Sequence, residues 1–400
     1  MREPDPTGRV VVAELLVGPL RSVGGASGYD ARELNRRSVL HAIASGAAIT
    51  RADLARLTGL TRPTISSLVE ELVDHGLVVE AGQGPSAGGK PPTLLAVDGA
   101  ARQVIAIDVS SDAVVGALSD LVGVTSAVES RAGVATGDEL VDEVVELIAT
   151  LASQATAPIA GVGVGTPGLV DVDGTIVEAA NLGWHDRPLG AELHERTGLP
   201  VWVANDADAA ALAEFAHLPE GRDGLAVVRI GAGIGAGLVL GGRPYRGGRA
   251  AAGEIGHLVV VPDGALCSCG NAGCLETVAS LRPLLAAGGF DLADPPTDLD
   301  ALLDRGGDDA RAALDLAALH LGSVVANLIA IVDVADVVLS VEIPGVGEAL
   351  AERVQQVVNG RLLPRLVEGV HVHAATDADR LVLDGAHALV LAGSLGMVRT

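Results

Sequence analysis

Aromatic residues make up only 2% of this 400-residue chain, which excludes a core built on rings. The interior must be assembled from Val, Leu, Ile and Ala, in a sequence that is 49% hydrophobic and long enough for two or three domains. No uninterrupted apolar run reaches the roughly 18 residues of a membrane-spanning helix. The longest candidate, residues 321–332, holds Asn327 and closes on Asp333, so it reads as a buried core helix and no membrane association is expected. Nor does a basic segment followed by an apolar one open the sequence as a secretory signal would, so a cytoplasmic location is expected. Basic charge is scarce. Its 27 Lys and Arg face 51 Asp and Glu, a net charge of -24 that ordinarily argues against a nucleic-acid partner. The deficit is uneven, however. Residues 1–100 carry 10 basic against 11 acidic side chains, and residues 101–400 carry 17 against 40, so a DNA-binding N-terminus remains compatible with the charge.

Cysteine is nearly absent as well. The chain has three, Cys267, Cys269 and Cys274, with His257 ten positions upstream of the first and Glu276 two beyond the last. One imidazole and three thiolates complete the tetrahedral shell of a structural zinc site, with no position left open. Gly270 and Gly273 let the backbone turn tightly enough for Cys269 and Cys274 to face one ion. Zinc is therefore the expected cofactor, and thiols kept reduced as metal ligands fit a cytosolic protein.

The surrounding segment, GEIGHLVVVPDGALCSCGNAGCLETVAS at 253–280, contains E-x-G-H followed by C-x-C-G-x-x-G-C-x-E. It resembles the signature of the ROK family, whose members are sugar kinases and sugar-responsive repressors. The resemblance extends from about residue 31 to the C-terminus.

Residues 1–30 have no clear period and hold Pro4, Pro6, Pro19 and a glycine-rich run ending at Gly28, as a poorly ordered leader would. From Ala31 the pattern is helical. A first helix over 31–44 buries Val39, Leu40 and Ile43. Thr50 and Asp53 make a capping box for a second helix that carries Leu54 and Leu57 and stops at Gly59. Thr61 caps a third helix with Pro63 in its first turn, and Ile65, Leu68, Val69 and Leu72 fall on one face. Residues 77–79 and 93–97 then form a two-stranded wing around the loop 82–92. The arrangement over 31–98 is a winged helix-turn-helix, and segment 50–97 closely resembles the DNA-reading head of ROK repressors. Arg51 and Arg62, with Thr64, Ser66 and Ser67 on the third helix, suit recognition of base edges. Lys90, the only lysine, sits at the wing tip where its charge can meet phosphate. Residue pattern alone leaves open a head used only for packing or dimerisation.

After residue 100 the pattern turns α/β. Apolar strands lie at 104–107 and 114–118, with a further one near Val124, and a helix over 139–151 presents Leu140, Val144, Ile148 and Leu151. A second βα series begins near Leu225. Composition alone says α/β; the ROK resemblance implies a two-lobed, actin-like (ribonuclease H-like) domain over 99–400 with a cleft near 205–276. It also implies a sugar shell of Asn205, Asp206, Glu254, His257 and Glu276, with Gly168 and Asn181 as further sugar-side positions. In ROK kinases the aspartate of the Asn-Asp pair is the base toward the attacked hydroxyl. Asp206 reads equally as a helix cap, and Glu276 as a helix-start carboxylate.

Phosphoryl transfer also needs a phosphate cradle. The D-x-G-G-T loop of the family's kinases is replaced here by Asp108-Val-Ser-Ser-Asp112, where serines obstruct backbone approach and Asp112 repels an anion. A second departure is the sequence Val341-Glu342-Ile343-Pro344 where kinases carry glycines. The glycine-rich segment 231–237 survives, although it serves a hairpin equally well. The leading expectation is a DNA-binding regulator, a repressor without catalytic residues, that senses a sugar or sugar phosphate and binds operator DNA as a homodimer or homotetramer. The runner-up is a sugar kinase with an N-terminal extension. A third reading has a protein partner in place of the sugar.

Overall fold

The structure is a computed structural model and describes residues 28–45, 49–85, 91–110, 113–133, 136–179, 181–218, 222 and 224–395. The expected leader up to residue 27, together with Lys90, Ser111 and Asp112, lies outside the described residues.

The N-terminal region begins with α1 (Gly28–Ser45), three residues earlier than the sequence pattern indicates, followed by β1 (Ile49–Thr50) and α2 (Arg51–Thr58). Thr50 caps α2 as a true capping box. Its hydroxyl accepts the Asp53 N–H, and the Asp53 carboxylate accepts the Thr50 N–H, each at 3.2 Å. Gly59 at φ 70° ends the helix in the left-handed region. Thr61 caps α3 (Arg62–Asp74), which buries Ile65, Leu68, Val69 and Leu72 as its spacing requires. Of the two leucines on α2, Leu54 is fully buried and Leu57 is 65% exposed. Three residues turn a helix by about 300°, and on a two-turn element that 60° offset is enough to swing a side chain off the packed row. The wing is β2 (Val78–Gln83) antiparallel to β3 (Thr93–Val97), with β1 pairing on the other side of β3.

Two sheets of the same topology follow. The first lobe holds β4 (Gln103–Val109), β5 (Ala113–Asp120), β6 (Thr125–Ala132), α4 (Asp138–Ser153), β7 (Ile159–Thr166), the short β8 (Leu169–Val170), β9 (Ile176–Ala179) and β10 (Trp184–Arg187), then α5 (Leu189–Thr197), β11 (Val201–Asn205) and α6 (Asp206–Phe215). Its five-stranded sheet runs β11-β7-β4-β5-β6, parallel across the first three strands and antiparallel across the last three. The second lobe holds β12 (Leu225–Ile230), β13 (Ile234–Leu240), β14 (Arg243–Pro244), α7 (Glu276–Ala279), α8 (Leu281–Ala287), α9 (Leu299–Val332), β15 (Asp336–Ser340), α10 (Val346–Arg361), α11 (Pro364–Val367) and β16 (His371–Ala374). Its sheet, β14-β13-β12-β15-β16, repeats the order and the strand directions. Two copies of one strand order make the body a two-lobed α/β domain.

α9 is long and apolar enough to pass for a membrane span by composition. It is nevertheless a packed helix: Leu314, Leu321, Val325 and Ile329 are buried in the second lobe's core, and the helix breaks at Gly307 (φ 55°).

The last helix, α12 (Leu381–Leu395), returns to the first lobe and joins everything together. It lies against α6 so closely that a side chain at Gly385 would strike the Ala209 backbone, and a side chain at Gly163 of β7 would strike Ala386. Its far end enters the N-terminal region. Val390, Leu391 and Leu395 share one hydrophobic cluster with Val39, Leu40, Ile65 and Leu95 and with Val104 and Ala160 of the body, and Trp202 of β11 packs against it.

Candidate functional site

Strand β11 delivers Asn205 and Asp206 to the cleft between the lobes. Asn205 is the helix cap, a role the sequence reading left open for Asp206. Its Oδ1 accepts the N–H groups of Ala207 (2.9 Å) and Asp208 (3.2 Å), and its Nδ2 donates to the Gly168 carbonyl at 2.9 Å. Gly168 must be glycine: its φ is +98°, and a Cβ there would meet the Glu178 carbonyl. Asp206 accepts the Ala207 N–H at 2.9 Å through Oδ1 and the Arg229 Nε–H at 3.0 Å through Oδ2.

Arg229 is the residue that sequence reasoning missed. It reaches across from β12 with its side chain only 13% exposed. Nη2 donates to Glu342 at 3.0 Å and lies 3.9 Å from Asp108 at the end of β4. Burial pulls its pKa down, but the carboxylates of Asp108, Asp206 and Glu342 outweigh that and hold it above its ordinary value. One signal was readable: an arginine in the apolar strand LAVVRI needs buried partners.

The opposite wall is acidic. Asp208 pairs with Arg246 at 3.2 Å, and burial, reinforced by Asp206 and Glu254, pushes its carboxyl up to about 6 against the pull of Arg246. Burial likewise raises Glu254, with Asp206 and Glu276 adding to the effect and His257 opposing it. The glycine-rich turn serves this wall, since Gly233 passes so near Glu276 that a Cβ would sit 3.1 Å from its carboxylate. Asn181 stands exposed in the turn between β9 and β10. Carboxylates, an amide and an imidazole converging on one cleft match hydroxyl groups, which both donate and accept.

Behind the wall, the ligand atoms of His257, Cys267, Cys269 and Cys274 all lie within 4.8 Å of one another. Cys269 Sγ is 3.6 Å from Cys274 Sγ, and Cys267 Sγ is 3.6 Å from His257 Nδ1. Ligands about 2.0–2.3 Å from one zinc ion stand about 3.3–3.8 Å apart along a tetrahedron's edges, so the donor set fits. His257 turns Nδ1 to the thiols and Nε2 toward Glu254 at 3.8 Å. As a thiol, Cys267 donates to Glu276 at 2.8 Å, and burial with that bond pushes it up to about 12. A metal must therefore displace a firmly held proton.

On the phosphate side, Ser110 closes the loop after β4 upon itself. Its N–H and hydroxyl both donate to the Ala113 carbonyl at 2.9 Å, and its Oγ accepts the Ala113 N–H at 3.0 Å. The backbone N–H groups of Ser110 and Ala113 are thereby engaged within the turn.

In the N-terminal region, Arg62 is exposed at the start of α3. Thr64 shares a 2.8 Å hydrogen bond with Thr61, Ser66 is half-buried and Ser67 accepts from Arg32 at 3.4 Å. Arg51 lies at the start of α2, 3.9 Å from Glu80. The exposed Arg56, paired with Asp53 at 2.7 Å, stands on the same element and was not anticipated.

The ROK family profile matches residues 104–392, and the MarR family profile matches residues 34–85. The chain is 31% identical over 389 residues to the xylose repressor of Caldicellulosiruptor bescii, covering 91% of this chain and 97% of that one. A crystal structure of a ROK family transcriptional regulator, a homologue of the E. coli MLC protein, superposes with a TM-score of 0.76 at 24% identity, over 92% of this chain and 98% of that one. The ROK glucokinase of Streptomyces griseus, solved with glucose and AMPPNP, gives a TM-score of 0.60 at 26% identity and covers 98% of its own chain but 72% of this one. A profile match over most of the body and a repressor similar along nearly its full length lead to one conclusion: the chain belongs to the ROK family.

Proposed function

We propose that this protein is a sugar-responsive transcriptional repressor, binding operator DNA through α3 and the wing and sensing a sugar between the lobes. The observation that carries the reading is a cleft wall rich in hydroxyl-binding groups beside a phosphate loop closed by its own serine. Asn205, Asp206, Glu254, His257 and Glu276 would hold the sugar, with Gly168 shaping the floor and Asn181 at the rim. The xylose repressor similarity puts a pentose first among the sugars to test.

His257 and the three cysteines would hold zinc, which supplies structural bracing rather than chemistry when bound. With Nδ1 committed to that cluster, His257 keeps Nε2 for the cleft, and Glu276 is held beside it. Arg51, Arg62, Thr64, Ser66, Ser67 and Lys90 are the proposed DNA contacts. A homodimer or homotetramer would set two heads on half-sites about one helical turn apart, and sugar closure of the lobes would change that spacing. Operator binding places the protein in the cytoplasm. Kinase turnover is not expected, because the N–H groups of Ser110 and Ala113 are engaged with each other's residues and Arg229 engages Asp206.

Titrating an operator complex with xylose, glucose and N-acetylglucosamine tests this. At least one should release DNA, while ADP release stays at background with each. Arg62→Ala should weaken operator affinity by about 1–3 kcal/mol. Steady turnover that disappears in Asp206→Asn would instead establish a kinase.

A further inference from the structure

The proposed sensing cleft leaves open whether its ligand is a free sugar or a sugar phosphate, and Arg229 bears on that choice. Phosphate sites are built from arginines whose donor fork is presented to the anion. Here the Arg229 guanidinium beside Asp206 is engaged by three carboxylates, Asp206 and Glu342 at 3.0 Å and Asp108 at 3.9 Å. The cluster of one guanidinium and three carboxylates carries a net charge of -2. The neighbouring wall presents Asp208, paired with Arg246, and Glu254, whose partner is the His257 imidazole at 3.8 Å. Three of the four cluster members are largely removed from water, where like charges repel more strongly than at a surface.

The cluster also bridges the lobes. Asp108 and Asp206 belong to the first and Arg229 and Glu342 to the second, so a ligand group at Asp206 meets residues of both. A sugar hydroxyl there donates to an Asp206 oxygen without adding charge. A phosphate on that hydroxyl would add about two negative charges, with the nearest arginine already committed. The geometry points to Arg229, Asp108 and Glu342 as a specificity filter that admits unphosphorylated sugars and rejects those phosphorylated at the hydroxyl facing Asp206.

This inference rests on the sugar-sensing reading and is tested apart from it. The ROK resemblance implies that Asp206 faces the hydroxyl that the family's kinases phosphorylate, so glucose 6-phosphate is the probe chosen to carry a charge to this point. Binding of glucose, xylose and glucose 6-phosphate to the full-length protein is measured by calorimetry, for the natural chain and for Glu342→Gln and Glu342→Lys. Glu342 is 54% exposed, so both variants are expected to fold. In the natural protein, glucose 6-phosphate should bind at least 100-fold more weakly than the better of the two neutral sugars. The preference should fall at least tenfold in Glu342→Gln and further in Glu342→Lys, as Arg229 is released to the anion. Equal binding of glucose and its 6-phosphate, or a preference unchanged along the series, overturns the filter and leaves sugar sensing intact. A chain that binds no sugar, phosphorylated or not, overturns both.

Discussion

Cys269 is the exposed member of the metal cluster, whereas Cys267 and Cys274 are buried. Changing it to serine removes one donor without opening a cavity. The Cys269→Ser protein should be purified without stoichiometric metal and should melt lower by about 5–10 °C, as expected when binding energy that contributes to folding is lost. A chelator should lower the melting point of the natural protein and leave the variant unchanged. Full metal content in the variant, by elemental analysis, would contradict the four-ligand assignment. At this scale the motif residues were legible in the sequence, because the donors lie close along the chain and their spacing reports their geometry. Arg229 was not, because its partners lie 23 and 113 residues away and no local pattern links them.

Helix α1 carries a titratable residue in its packed face. His41 is 7% exposed in the hydrophobic centre of the N-terminal region, and burial lowers its pKa to about 4. The unfolded chain takes up this proton near pH 6.5, before the folded chain does, so acidification favours unfolding. Stability should therefore fall as pH drops from about 6.5 to about 4, by on the order of 3 kcal/mol from this group alone. Buried His387 acts in the same direction, while Asp208, raised to about 6, acts in the opposite one. The comparison that isolates His41 is denaturant unfolding of the natural protein against His41→Gln at pH 7 and pH 5. The gap between them should close or reverse at the lower pH. The capped α2 and the capped, periodic α3 were legible with their boundaries. The two-residue β1 was not, because it is too short to show alternation and exists only through pairing with β3. Which leucine of α2 faces the core was not legible either, because two helical turns do not define a face.

Across the molecule, β11 links the cleft to the N-terminal region. Trp202 packs into the cluster shared with α1 and α3, and Asn205 stands three residues on, about 10 Å along the strand. A side chain at Gly393 of α12 would strike the Trp202 indole, so helix and strand are packed in direct contact there. Trp202→Phe should keep sugar affinity within a few-fold while reducing the ratio of operator affinities measured without and with sugar. A ratio equal to that of the natural protein would show that the signal takes another path. The two-lobed plan followed from the family resemblance, and the repeated strand order accords with it. The junction between N-terminal region and body could not be read in advance, since nearly 300 residues separate the segments that meet there.

That junction makes the DNA-reading unit discontinuous along the chain. Residues 28–97 complete their core with the end of α12, at 390–395, and with Val104, Leu121 and Ala160 of the body. Exchanging the first hundred residues for those of another regulator would pair a new apolar surface with an old helix. A chimera intended to redirect operator choice has to carry the end of α12 across together with the N-terminal region.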